Sequence, residues 1–140
     1  MAIVKPDPIV YQRDPHWTIE LYPSIDLIVM NSPRFDQSDP GYPFLWEIID
    51  TLGTPWTYNA IFNLLDWPGI TPFHIVDDFA TRFNALMDGR DKGKRSCTVD
   101  NNPVTLSRYA TKSYQNLFPN RDLRLFDNFD DAYLWATFQT

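Results

Sequence analysis

Three times along this chain a short polar residue stands directly before a proline at the head of an apolar stripe. The pairs are Asp39-Pro40, Thr71-Pro72 and Asn102-Pro103. Asp, Thr and Asn side chains accept the orphan N–H groups of a helix start. Proline loses nothing at the first helical position, because its missing donor would be unpaired there anyway. Each pair therefore predicts a helix, and the stripes agree. Leu45, Ile48, Ile49 and Leu52 recur at helical spacing up to Gly53. Ile75, Val76, Phe79, Phe83, Leu86 and Met87 do so up to Gly89, and Leu106, Tyr109, Ala110, Ser113, Tyr114 and Leu117 up to Pro119. A fourth helix, with Phe129, Ala132, Tyr133, Trp135 and Ala136, is expected to start at Asp127.

Short extended runs separate the helices. Thr18 to Tyr22 alternates, with Ile19 and Leu21 on one side, and Pro23-Ser24 forms a turn. Ile25 to Met30 then reads as a buried partner strand. Trp56 to Leu65, Ser96 to Val99 and Leu123 to Phe126 are the further strands. The resulting order, β-β-α-β-α-β-α-β-α, predicts an α/β fold. A mixed, mostly parallel β-sheet opens with a β-hairpin and is flanked by four helices.

With 140 residues, 44% hydrophobic, the chain suffices for one compact domain, read as residues 16–140. Residues 1–15, carrying Pro6, Pro8 and Pro15 among Ile3, Val4, Ile9, Val10 and Tyr11, read as an N-terminal arm. Such an arm packs on its own domain or on a second subunit, so a homodimer is expected. The start has no apolar signal-like core, and no apolar run approaches the roughly 18 residues of a membrane span. A cytoplasmic protein without membrane insertion is expected. The net charge of −6 disfavours nucleic acid as a partner. It resides in the first half, where Lys5, Arg13 and Arg34 face nine carboxylates.

No nucleophile–base–orienter set stands out. Cys97 lies in a predicted buried strand, the two histidines are His16 and His74, and no G-x-S-x-G turn is present. No phosphate-loop glycine pattern and no metal-ligand spacing occurs, so neither a cofactor nor a metal is expected. Of five tryptophans, Trp67 sits beside Pro68-Gly69 in a loop at the carboxyl end of a strand, where α/β sheets tend to meet ligands. Asp66, Trp67, Thr71, Phe73 and His74 are therefore the candidate partner- or ligand-binding residues. The alternative is an enzyme or small-molecule carrier with a pocket around Trp67, His74 and Asp66. Arg90, Lys92, Lys94 and Arg95 form a basic cluster, either a solvated loop or an anion-binding site.

The segment from Leu123 to Trp135, LRLFDNFDDAYLW, resembles the ending of the SpoIIAA-like branch of the STAS superfamily. Lys94 to Asn101 resembles that branch's penultimate strand, and Asn63 to Phe73 its central strand-loop-helix. The resemblance spans roughly residues 17–138, by order of elements more than by identity. It implies a bacterial, non-catalytic regulatory domain that contacts a protein partner or small ligand near the loop from Asp66 to Thr71. By position it also implies a phosphoacceptor near Thr71, at a helix N-terminus that favours an added phosphate. A plain helix cap is the other reading of Thr71.

Overall fold

The structure is a computed structural model, and it describes residues 5–12, 18–31, 41–65, 73–111 and 116–138. Its six strands are β1 (Ile9–Gln12), β2 (Thr18–Tyr22), β3 (Leu27–Asn31), β4 (Asn59–Asn63), β5 (Arg95–Val99) and β6 (Asp122–Phe126). They form one sheet and lie in chain order, β1-β2-β3-β4-β5-β6. β1, β2 and β3 pair antiparallel, and β3 to β6 pair parallel. A parallel neighbour can be reached only by a crossover, and each of the three crossovers carries a helix. These are α1 (Gly41–Thr51), α2 (Phe73–Met87) and α3 (Pro103–Tyr109); α4 (Phe129–Ala136) follows β6. The α/β class, the opening hairpin, the mostly parallel sheet and, among the described residues, four helices agree with the expectation from sequence.

Steps of one hand, all taken in one direction, leave the first three helices on one face of the sheet. Ile19, Leu21, Ile28, Met30 and Ala60 of that face pack on Phe44, Leu45, Ile48 and Ile49 of α1 and on Ile75, Phe79, Phe83 and Met87 of α2. Phe79 is the hub, with ring centroids 5.1 Å from Trp46, 5.5 Å from Phe62 and 5.6 Å from Phe83. α4 covers the other face. There Val29, Ile61, Cys97 and Val99 meet Ala132, Tyr133, Trp135 and Ala136.

Local details refine the sequence reading. Part of the segment read as an arm, Ile9–Gln12, is a sheet strand, with Ile9 opposite Leu21 and Tyr11 opposite Ile19. β3 starts at Leu27, later than Ile25, because Pro23–Ile25 forms a 3-10 turn and Asp26 takes a left-handed conformation at φ 51°. β4 starts at Asn59, since Pro55–Thr57 is a second such turn. α2 stops where Asp88 and Gly89 both turn left-handed, at φ 51° and 74°. Asn102 caps α3 as expected, its side chain accepting from Val104 N at 2.9 Å. α3 itself ends at Tyr109, because Ala110 N and Thr111 N turn back to Ser107 O and Arg108 O. The cap of α4 is Asn128 and not Asp127. Only Asn128 stands three residues before Asp131 N, from which it accepts at 2.9 Å, and its amide returns to the Asp131 carboxylate at 2.8 Å.

Candidate functional site

β4 and β5 end side by side, and Leu64 N donates to Val99 O at 2.8 Å just beyond their last paired residues. The next residue after β5, Asp100, is 3% exposed. Its carboxylate folds the following turn around itself. Asn101 N and Asn102 N donate to Oδ1 at 2.8 and 3.1 Å, and Thr105 Oγ1 donates to Oδ2 at 2.6 Å. This is the local habit of Asp at turns, here extended into the first turn of α3. Four residues after Thr105, on the same helix face, Tyr109 donates its phenol hydrogen to the hydroxyl of Thr98.

Between α2, α3 and this strand end lies a cleft of about 70 Å³. Phe62, Leu64, Val76, Phe79, Phe118 and Leu123 supply its apolar walls. Ser96, Thr98, Asp100, Thr105, Arg108 and Tyr109 supply its polar groups, so the cleft runs along β5 from near its start to just past its end. Around this edge of the sheet, Leu65, Phe73, Val104 and Leu106 are exposed apolar side chains.

Of the residues singled out in the sequence, Asp66, Trp67 and Thr71 lie outside the described residues, as does any approach of Asp66 to His74. Phe73 is 44% exposed, and His74 is exposed beside it in the first turn of α2. Neither lines the cleft, which draws instead on Val76 and Phe79 one turn further along. The basic cluster sits at the opposite, amino-terminal edge of the parallel strands. Arg90 closes the end of α2, donating to Met87 O at 3.0 Å and Leu86 O at 2.8 Å, with its guanidinium 3.4 Å from the Trp56 ring centre. Arg95 closes the end of α4, donating to Trp135 O at 2.7 Å and lying 3.8 Å from the Phe138 ring centre. Lys92 is exposed and Lys94 half-buried.

Cys97 points to the α4 side, where burial pushes its thiol up to about 12. It remains a thiol at neutral pH, inert as a nucleophile. Among the described residues no group of three or more His, Cys, Asp or Glu is placed to hold a metal ion. No helix among them is long and apolar enough to cross a membrane.

A second polar array crosses the α4 side of the sheet, and the sequence reading missed it. Tyr22 donates its phenol hydrogen to Glu20, whose other oxygen accepts from Asn31 Nδ2 at 2.8 Å. Asn63 Nδ2 donates to Asn31 Oδ1 at 2.9 Å, and Asn63 Oδ1 accepts from Leu65 N at 3.3 Å. Burial first, and Glu20 second, push the Tyr22 phenol upward. The array ties β2, β3 and β4 to the start of the loop that leads toward α2. Its signal in the sequence is a matched asparagine closing each apolar strand run, Asn31 opposite Asn63.

The structure thus defines an α/β protein with an open cleft between α2, α3 and the face of β5, running from Ser96 to Asp100 just past the carboxyl end of that strand. Compared with protein-family models, curated proteins and solved structures, the chain gives no match.

Proposed function

We propose that this chain is a non-catalytic binding domain of the regulatory kind implied by its STAS/SpoIIAA-like resemblance. It takes a protein partner or small ligand at the carboxyl-terminal edge of β4 and β5, next to the loop from Asp66 to Thr71. The observation that carries the reading is the cleft itself. It is an apolar hollow of about 70 Å³ with a few converging polar groups, running along β5 between α2 and α3 and reaching the sheet edge where α/β proteins receive ligands. Its hydroxyls, one guanidinium and one carboxylate engaged by three local donors suit orientation more than attack. The exposed Leu65, Phe73, Val104 and Leu106 supply the apolar rim that a partner surface would cover. A bacterial, cytoplasmic setting, self-pairing through the N-terminal segment and a modifiable Thr71 belong to the same reading. The alternative pocket around Asp66, Trp67 and His74 gains nothing from His74, which stays exposed outside the cleft.

The test is recovery of the tagged chain from its native cells, with bound proteins and metabolites identified by mass spectrometry. Wild type is compared with Val76→Trp, which fills the cleft, and with Trp67→Ala. A partner or metabolite present with wild type and lost from both variants, at unchanged circular dichroism, is the expected result. Equal recovery with all three chains would overturn the assignment of this edge.

A further inference from the structure

We infer that the cleft between α2 and α3 receives a short branched aliphatic group carrying an uncharged amide head. The inference deepens the binding reading above and rests on it.

Size sets the tail. The cleft's volume of about 70 Å³ is roughly half the ~150 Å³ that admits benzene in a protein core. The space is small and open on one side, so a short branched aliphatic group can sit in it with its head at the polar wall. Phe62, Val76, Phe79 and Phe118 give such a group apolar contact on several sides.

Hydrogen bonding sets the head. Thr98 is 6% exposed, and its hydroxyl receives the phenol hydrogen of Tyr109. A hydroxyl has one hydrogen to give, and that of Thr98 remains available at the cleft wall. Asp100 lines the same space. Asn101 N, Asn102 N and Thr105 Oγ1 fill three of its roughly four lone-pair sites, which leaves one acceptor. A donor and an acceptor held in one small cleft complement the C=O and N–H of an amide.

Charge excludes the ionic analogues. Asp100 and Arg108 both line the cleft, so it presents charge of both signs. A carboxylate has no hydrogen to give Asp100 and is repelled by it, and an ammonium has no acceptor for the Thr98 hydroxyl. Either would surrender its hydration without full compensation, while an amide surrenders far less.

The experiment is a titration of the ¹⁵N-labelled full chain with isovaleramide, isovalerate and isopentylamine, followed by amide NMR shifts at neutral pH and constant salt. Isovaleramide is expected to shift the amides of Val76, Thr98, Asp100 and Tyr109 saturably, and to bind more tightly than either charged analogue. Thr98→Val is expected to weaken isovaleramide about fivefold, the worth of one net hydrogen bond. Val76→Trp is expected to abolish the shifts, and the dispersion of the remaining amides reports whether each variant is folded. Tighter binding of isovalerate or isopentylamine would overturn the amide assignment while leaving a ligand-binding edge in place. Saturable shifts from none of the three would overturn the cleft's ligand chemistry, leaving partner recovery to judge the wider reading.

Discussion

Arg121 is held where a guanidinium is costly to place. Its Nε lies 2.6 Å from Asp91 Oδ2, with side-chain exposures of 1% and 2%. Its Nη1 reaches Tyr58 O at 2.9 Å and Ser96 Oγ at 3.2 Å. Burial lowers its pKa, and Asp91 opposes that shift. Removing one member strands the other charge out of water. Arg121→Met should therefore cost about 3–5 kcal/mol in urea unfolding, and the double change with Asp91→Leu should recover much of it. Cys97 gives a prediction in pH. The folded thiol keeps its proton to about 12, while an unfolded one releases it near its ordinary 9.0. Between those values the unfolded chain binds fewer protons, so stability falls as pH rises, by up to about 1.4 kcal/mol per unit. Tyr22, also pushed upward, adds the same sign at higher pH. Urea midpoints measured from about pH 8 to pH 11 should decline, and less steeply in Cys97→Ala. The burial of Cys97 was legible from its apolar, β-prone setting. The pairing of Asp91 with Arg121 was not, because nothing local announces a bond between residues 30 positions apart. The same holds for Thr98 and Tyr109, which only the packing of α3 on β5 brings together.

At the scale of elements, polar caps and prolines mark starts well because they act locally. Asn102 was readable for that reason, and the start of α4 was misread by one residue because Asp127 and Asn128 are both competent caps. Geometry decides between them. Asn128→Ala should destabilise the protein by about 1 kcal/mol in thermal or urea unfolding, and Asp127→Ala by clearly less. β1 escaped the sequence reading because four residues beside Pro6 and Pro8 carry too little pattern to separate a strand from an arm. Only its ladder to β2 defines it. The cleft was half legible. The carboxyl end of β4 was singled out, but Thr98, Asp100, Thr105, Arg108 and Tyr109 come from β5, its end and α3, which were read as a strand and a capped helix and not as a site.

Across the whole molecule the two faces of the sheet are covered unequally. Three crossover helices share one side, and α4, eight residues long, covers the other. Ending the chain after Asn128 would bare Val29, Ile61, Cys97 and Val99 together. Such a truncation is expected to lose cooperative unfolding and to bind a hydrophobic dye, whereas removal of residues 1–8 is expected to leave a cooperative transition. Strands laid down in chain order have a further consequence for biogenesis. A nascent polypeptide leaving the ribosome can dock each new ribbon against the one just made, with no gap held open for a later arrival. Closure of the second face is then deferred until α4 is made, and until that helix emerges an oily surface stays open to solvent, the interval in which a chaperone would be most needed.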